Sequence, residues 1–262
     1  MKILFIGDVV GKPGRRALAR HLLFLVDEHL ADYVIVNIEN AAGGFGVTAS
    51  VFAELNELPI HCFTSGNHIW DKKEVVEILG SEDRLLRPAN YPRGAVGSGV
   101  HVGETAGGVK VATINLEGRV FMKSLECPFR TADGILDELA GDVNVVFVDF
   151  HAEVTSEKQA LGFYLDGRVS AVVGTHTHVP TADERILPAG TAFQTDSGMT
   201  GPYESVIGMK ADKVVRRFLY QTPFPFEVAK KDVRLAGCVI TVDELSGKAS
   251  KIERIMVQDA DS

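Results

Sequence analysis

The sequence predicts an α/β fold with parallel strands, and two observations support that class. Short apolar runs alternate with longer amphipathic segments over residues 3–79. Such alternation favours strands joined by helices in parallel, right-handed crossovers. The apolar runs also end in polar residues, where ligands bind in open α/β sheets. The 262 residues are 45% hydrophobic and contain no clear linker, so we assign residues 1–262 to one domain.

The first part of this pattern contains three strands and three helices. The strands are apolar almost throughout, as strands covered on both faces are. They are predicted at residues 3–6, 33–38 and 60–64. The helices are amphipathic, and the first carries Leu18, Leu22 and Leu25 on one stripe. They are predicted at residues 15–30, 48–58 and 71–79.

The rest of the chain adds hairpins, further helices and two more apolar strands. Paired apolar runs around glycine-containing turns predict hairpins at residues 100–114, 184–195 and 235–257. Helices are predicted at residues 131–140, 156–165 and 210–220. Residues 117–128 are predicted to form a loop. One apolar strand is predicted at residues 143–148, and the other ends at Gly174.

Polar residues with ligand-binding side chains follow five of the predicted strands. They are Asp8, Glu39, Asn40, Asn67, His68, His151, His176 and His178. His176 and His178 are two residues apart, and in extended backbone such residues point to the same side. We therefore expect both imidazoles to face one point just beyond their strand, with the other strand ends nearby.

These residue types favour a site for two transition-metal ions. Carboxylates, amide oxygens and neutral imidazoles suit Mn, Fe or Zn. The set is too rich in histidine for Ca or Mg, and it has too many ligands for one tetrahedral zinc. Two ions that share a bridging carboxylate would use all of the ligands, and such sites perform in-line displacement at phosphorus.

Composition and missing motifs argue against several other functions. The net charge of −8 disfavours binding to duplex nucleic acid, which normally requires a basic face. No run is long enough for a signal-peptide core or a membrane span, and the three cysteines form no C-x-x-C pair, so we expect a cytoplasmic protein. No dinucleotide fingerprint, Walker loop or G-x-S-x-G motif is present. Gly43-Gly44-Phe45-Gly46 could approach a phosphate, but we interpret it as a plain flexible loop.

The order of these motifs resembles that of the calcineurin-like metallophosphoesterases over positions 8 to 178. The motifs are Gly7-Asp8, Gly66-Asn67-His68, His151 and Gly174-Thr175-His176-Thr177-His178. A closer resemblance, over almost the whole chain, is to the YmdB-like bacterial branch. It lies in Gly7-Asp8-Val9-Val10-Gly11, Asn37-Ile38-Glu39-Asn40, Asp149-Phe150-His151-Ala152-Glu153 and Thr195-Asp196-Ser197-Gly198-Met199-Thr200-Gly201.

The resemblance implies a four-layer α/β/β/α sandwich with two mixed sheets, together with an assignment of ligands. In that assignment, the ligands of the first ion are Asp8, Glu39, Asn40 and His178. Glu39 bridges to the second ion, whose other ligands are Asn67, His151 and His176. A hydroxide held between the metals would attack phosphorus, and His68 would donate a proton to the leaving oxygen.

Two departures from the wider family bear on the choice of metal. Val10 stands where the family's first motif has a histidine, and Glu39-Asn40 replaces its Gly-Asp motif. The first site therefore loses an imidazole, which the carbonyl oxygen of Asn40 could replace. An oxygen-rich first site fits iron or manganese better than zinc, and the YmdB-like branch implies the same metals.

The resemblance further implies a phosphodiesterase that acts on a small phosphoester, a cyclic nucleotide with 2′,3′-cyclic forms included. A phosphomonoesterase or protein phosphatase is an alternative of the same class. A regulatory protein that keeps its metals but acts through partners is an alternative of another class, although the presence of His68 argues against it. The sequence leaves homo-oligomer formation open.

Overall fold

Two β-sheets pack face to face in the computed structural model, which describes residues 1–259. The strands are β1 (Lys2–Ile6), β2 (Asp8–Val9), β3 (Tyr33–Asn37), β4 (Cys62–Thr64), β5 (Val100–Glu104), β6 (Lys110–Glu117), β7 (Val145–His151), β8 (Ala171–Thr175), β9 (Arg185–Ile186), β10 (Ala192–Gln194), β11 (Met199–Pro202), β12 (Val233–Val242) and β13 (Ala249–Gln258). The helices are α1 (Gly11–His29), α2 (Ala49–Asn56), α3 (Val75–Ser81), α4 (Pro128–Leu139), α5 (Thr155–Leu165) and α6 (Ala211–Tyr220).

The first sheet has the order β2-β11-β12-β1-β3-β4, and β13 also pairs with β12. Strands β1, β3 and β4 are parallel, as the alternation of strands and helices predicts. Strand β12 runs antiparallel to both β1 and β13, so the predicted closing hairpin belongs to this sheet. The carboxyl ends of the parallel strands consequently lie side by side at one edge.

The second sheet has the order β5-β6-β7-β8-β10-β9. Its four central strands are parallel, and the edge strands β5 and β9 are antiparallel to their neighbours. The predicted hairpins at 100–114 and 184–195 are therefore confirmed. Glu117 pairs with His151 and His151 pairs with Thr175, so three adjacent strands end at the same level.

Apolar side chains cover both faces of the strands. Ile3 and Phe5 on β1 point into the layer between the two sheets, where the Phe5 and Phe147 ring centroids are 4.9 Å apart. Leu4 and Ile6 point outward and pack against the helices. Burying each such side chain contributes about 1.5–3 kcal/mol relative to exposure. Helices α1 to α3 cover the first sheet, and α4 and α5 cover the second, which confirms the predicted α/β/β/α sandwich.

Some element boundaries differ from the sequence-based predictions. Helix α1 begins at Gly11 rather than residue 15, because Pro13 is tolerated in a first turn, where the backbone N–H needs no partner in the helix. The helix predicted at 71–79 is a short 3₁₀ turn at Ile69–Asp71 followed by α3. The sequence did not predict β2 and β11, which pair in parallel through Met199 and Asp8. Over residues 1–259, no helix is long and apolar enough to cross a membrane.

Candidate metal centre

The structure brings the eight predicted site residues together where the parallel strands of both sheets end. Asp8 lies on β2, His151 ends β7, and the other residues follow β3, β4 and β8. Hydrogen bonds and short contacts connect all eight residues, and the contact between His151 and Glu39 joins the two halves of the set. The site is therefore built from both sheets, and five separate segments contribute to it.

Asp8, Glu39 and His178 form a first group of candidate ligands. One ligand atom from each of the three lies within 4.8 Å of the others, and all three side chains are buried or nearly so. The side-chain nitrogen of Asn40 is 2.9 Å from Glu39 Oε1 and 3.1 Å from His178 Nε2. A half-turn of this amide would bring its oxygen to the same place, so metal ligation by Asn40 stays a prediction.

Glu39, His151 and His176 form a second group with the same spacing. The Nε2 atom of His151 lies 3.2 Å from Glu39 Oε1, 3.0 Å from Asn67 Oδ1 and 3.0 Å from His176 Nδ1. Glu39 belongs to both groups, so its carboxylate would be the shared ligand if each group held an ion.

The two histidines of the final motif reach the site differently from the prediction. His176 has a φ of 96° and His178 a φ of 64°, so both residues have left-handed rather than extended backbone. The extended geometry that their spacing predicted is therefore wrong. His176 approaches His151, whereas His178 approaches Asp8 and Asn40, so each metal group receives one of them. Non-glycine residues in this conformation are strained, and such strain concentrates at functional sites.

Thr175 and Asp149 fix the orientation of His151. The Thr175 hydroxyl donates to Asp149 Oδ1 at 2.7 Å, so its oxygen accepts the Nδ1–H of His151 at 2.9 Å. The Nε2 atom of His151 is thereby directed into the site. Asp149 also accepts hydrogen bonds from Thr64 and Asn37, while burial raises its pKa to about 6.

The other two histidines of the ligand groups, His176 and His178, have similar outer contacts. His178 Nδ1 donates to the Ile207 carbonyl at 2.9 Å, and His176 Nε2 lies 3.0 Å from Glu153 Oε2. In each case the opposite ring nitrogen faces the centre, as in metal sites where the outer N–H is bound. Sequence reasoning missed these roles of Thr175 and Glu153, although both residues lie within the quoted motifs.

A buried ion pair supports the histidine loop, the segment that carries His176 and His178. Lys158 Nζ lies 2.7 Å from Asp196 Oδ2, and both side chains are 1% exposed. Asp196 also accepts hydrogen bonds from the backbone N–H and the hydroxyl of Thr177, the residue between the two histidines. The pair therefore holds the histidine loop in place, and sequence reasoning did not identify Lys158.

The electrostatics of the centre reflect closely packed charges. Burial raises the pKa of Asp8. Burial opposes ionisation of Glu39, but His151 and His68 outweigh it and lower the pKa of that carboxyl below its usual range. Burial also opposes a charge on His151, but Glu39 and Asp8 raise its pKa to about 9. Burial and the neighbouring His151 lower the pKa of His176 to about 3, so its ring is neutral.

The donor set fits two metal ions. Asp8 Oδ1 is buried without a hydrogen-bond partner, and ring nitrogens of His151 and His176 face each other. Carboxylates and imidazoles that converge in this way suit Mn, Fe or Zn, and metal binding would replace the proton on His151. The shared Glu39 carboxylate fits a pair of ions better than a single one.

Replacing Thr175 by valine should weaken metal binding at the group that contains His151. The substitution conserves shape but removes the acceptor that orients the ring. Loss of such an outer-shell contact typically costs about 10- to 100-fold in metal affinity. Titration of metal-free protein with Mn²⁺ would measure this loss. Thr113→Val on β6 is the control, because Thr113 is equally buried but lies earlier along the sheet. Unchanged affinity in Thr175→Val would contradict the proposed orientation.

The sandwich fold and the paired ligand groups define the class of metallophosphoesterases. Within that class, a family model described as YmdB-like protein matches residues 4–255. The chain therefore belongs to the YmdB-like family, and it is a phosphoesterase.

Known proteins are similar to the chain over nearly its full length. A Bacillus subtilis (strain 168) protein named 2′,3′-cyclic-nucleotide 2′-phosphodiesterase is 48% identical, covering 99% of this chain and 98% of its own. The crystal structure of a hypothetical protein from Thermus thermophilus matches with a TM-score of 0.92 and 42% identity, covering 99% and 100% of the two chains. The crystal structure of a novel phosphatase from Mycoplasma pneumoniae also has a TM-score of 0.92, with 36% identity and coverages of 98% and 93%.

Proposed function

We propose that this chain is a dinuclear-metal phosphodiesterase that hydrolyses cyclic nucleotides, 2′,3′-cyclic forms included. The observation that carries the proposal is the position of Glu39, whose carboxylate belongs to both candidate ligand groups. The name of the Bacillus subtilis relative, at 48% identity, supports the substrate class.

The first ion would be held by Asp8, Glu39, Asn40 and His178, and the second by Glu39, Asn67, His151 and His176. Bound there, the ions would supply Lewis acidity toward the phosphate and a nucleophilic water at neutral pH. The predominance of oxygen donors around the first position favours iron or manganese over zinc.

His68 is the residue that we assign to proton transfer. Its backbone N–H donates to Glu39 Oε2 at 3.1 Å, which ties it to the metal groups. Its ring Nδ1 lies 2.8 Å from Asp71 Oδ2. With Nδ1–H donating to Asp71, the remaining nitrogen can hold a proton for the leaving oxygen. The ring is 30% exposed, so it is open to a substrate.

The cavity above the centre has the size of a small-molecule site. Its volume is about 620 Å³, and its lining includes Glu39, His68, His176 and His178. Ligand sites typically span about 300–1,000 Å³. A nucleotide can therefore place its phosphate on the metal groups with its nucleoside still inside the cavity.

Metal analysis combined with a product assay tests this function. We expect close to two bound ions per chain after purification without chelators, mainly iron or manganese. The metal-loaded protein should convert a 2′,3′-cyclic nucleotide to a nucleoside monophosphate without releasing inorganic phosphate, and chelation should abolish the reaction. Phosphate release without a second enzyme would favour a phosphomonoesterase. Two bound ions without turnover of any phosphoester would favour a regulatory role.

A further inference from the structure

The cavity above the centre has a polar floor and an apolar wall. His68 and four of the candidate metal ligands form the floor, and these ligands are Glu39, Asn40, His176 and His178. The wall consists of Phe45, Val206, Ile207, Met209, Val214, Phe218 and Phe226, with Arg217 as a cationic member. The proposed hydrolysis of a phosphoester uses only the floor. The wall therefore has no role in the mechanism described so far.

Phe45 enters the wall from the segment Gly43-Gly44-Phe45-Gly46. All three glycines have positive φ values, between 70° and 98°. The N–H of Ala42 donates to the Gly46 carbonyl at 2.9 Å, which closes the segment into a turn. A Cβ on Gly44 would lie 2.6 Å from the Met209 side chain, so the turn packs directly on the wall. The segment is thus a shaped turn that presents one aromatic ring, rather than the plain flexible loop that we predicted.

The aromatic rings of the wall continue from His68 in the floor, so that His68, Phe45 and Phe226 form one series of neighbouring rings. The ring centroid of Phe45 lies 4.9 Å from that of His68 and 5.7 Å from that of Phe226. The Arg217 guanidinium lies 4.6 Å from the Phe226 centroid, in cation–π geometry. Phe226 is 42% exposed. A planar ligand next to the phosphate site would therefore meet aromatic rings and a planar cation.

We propose that Phe45, Phe226 and Arg217 bind the nucleobase of the substrate, an inference that rests on the proposed function. Aromatic rings and guanidinium groups both stack on bases. Stacking of this kind should raise kcat/KM roughly 5- to 100-fold for a substrate that carries a base, compared with the same substrate without the base. The wall is mostly apolar and offers few groups that could read base edges. All four bases should therefore be accepted, with purines favoured by their larger rings.

A base-free substrate tests the inference. The experiment compares kcat/KM for adenosine 2′,3′-cyclic phosphate with that for 1-O-methylribose 2′,3′-cyclic phosphate, using the full-length, metal-loaded protein. The native chain should favour the nucleotide by roughly 5- to 100-fold. Phe45→Ala and Arg217→Ala should each lower this ratio several-fold. Any further change in kcat/KM that is equal for the two substrates leaves the ratio unaffected and does not bear on the inference.

Two matched variants serve as controls. Arg216 is the neighbour of Arg217 on α6 and stacks on Phe224, but it does not line the cavity. Phe24 is an exposed phenylalanine on α1, on the outer face of the first sheet. Arg216→Ala and Phe24→Ala should keep the native ratio. A native ratio near one would overturn the inference, as would equal losses on both substrates in Phe45→Ala and Arg217→Ala.

A binding measurement separates failure of this inference from failure of the proposed function. If the native chain cleaves bis-nitrophenyl phosphate but neither cyclic phosphate, the proposed substrate class is wrong. Adenosine 3′-monophosphate and ribose 3-phosphate can then be compared as inhibitors of bis-nitrophenyl phosphate cleavage. Stronger inhibition by the nucleotide, reduced in Phe45→Ala, would support a base-binding wall. Equal inhibition by the two compounds would overturn it.

Discussion

Glu39→Ala should abolish phosphodiesterase activity and release at least one metal ion per chain. Glu39 is the residue shared by the two ligand groups, so its removal takes a donor from both. Loss of an outer-shell contact already costs about 10- to 100-fold in metal affinity, and loss of a shared direct ligand should cost more. The substitution also leaves His151 Nε2 and the His68 backbone N–H without their carboxylate partner.

Thermal unfolding gives a readout of this prediction that does not depend on turnover. A metal that binds only the folded chain stabilises it by about 2.7 kcal/mol at 100 times its Kd. The native chain should therefore show a clear rise in Tm when Mn²⁺ is added to metal-free protein. The rise should be much smaller for Glu39→Ala, and elemental analysis should show fewer than two ions.

Glu54→Ala is the matched control for Glu39→Ala. The Glu54 side chain is 49% exposed and pairs with Arg15 on the surface, a contact worth about 0–1 kcal/mol. This variant should keep its metals, its activity and the metal-dependent rise in Tm. If Glu39→Ala behaved like Glu54→Ala, the residue after β3 would not be a metal ligand.

The strand ends could be predicted because the sequence marks them directly. Asp8, Glu39 and His151 each come at or just beyond an apolar run, and parallel strands place such positions at a common edge. The four-layer arrangement needed the family resemblance as well. Local alternation indicates a parallel sheet, but it does not show that the chain divides its strands between two sheets.

Other parts of the site depend on contacts that no local pattern encodes. Strands β2 and β11 are too short to show a period-2 pattern, yet their pairing places Asp8 in the site. His176 and His178 have left-handed backbone, whereas their spacing of two residues had suggested an extended segment. The contact between Phe45 and Phe226 joins segments that are distant in sequence, and local reasoning gave neither residue a role.

His68→Ala should retain both metal ions but lose most activity on cyclic nucleotides. General-acid assistance is worth roughly 10²–10⁴-fold, and it is needed only when the leaving oxygen is basic. A ribose hydroxyl oxygen is such a leaving group, whereas nitrophenolate leaves well without a proton. The loss should therefore be far larger on a 2′,3′-cyclic nucleotide than on bis-nitrophenyl phosphate. Asp71→Asn should show the same pattern at smaller magnitude, because it weakens the contact at His68 Nδ1 and leaves the ring in place.

Three roles for His68 predict different results in this experiment. If His68 orients the substrate phosphate, His68→Ala should lose similar activity on both esters. If His68 mainly supports Asn67, its neighbour in the chain, the variant should lose metal. If His68 donates a proton, the variant should keep its metals and lose more activity on the cyclic nucleotide than on bis-nitrophenyl phosphate. Equal impairment in metal-replete His68→Ala would therefore remove the acid role and leave the two-metal site unchanged, because no side-chain atom of His68 belongs to either ligand group.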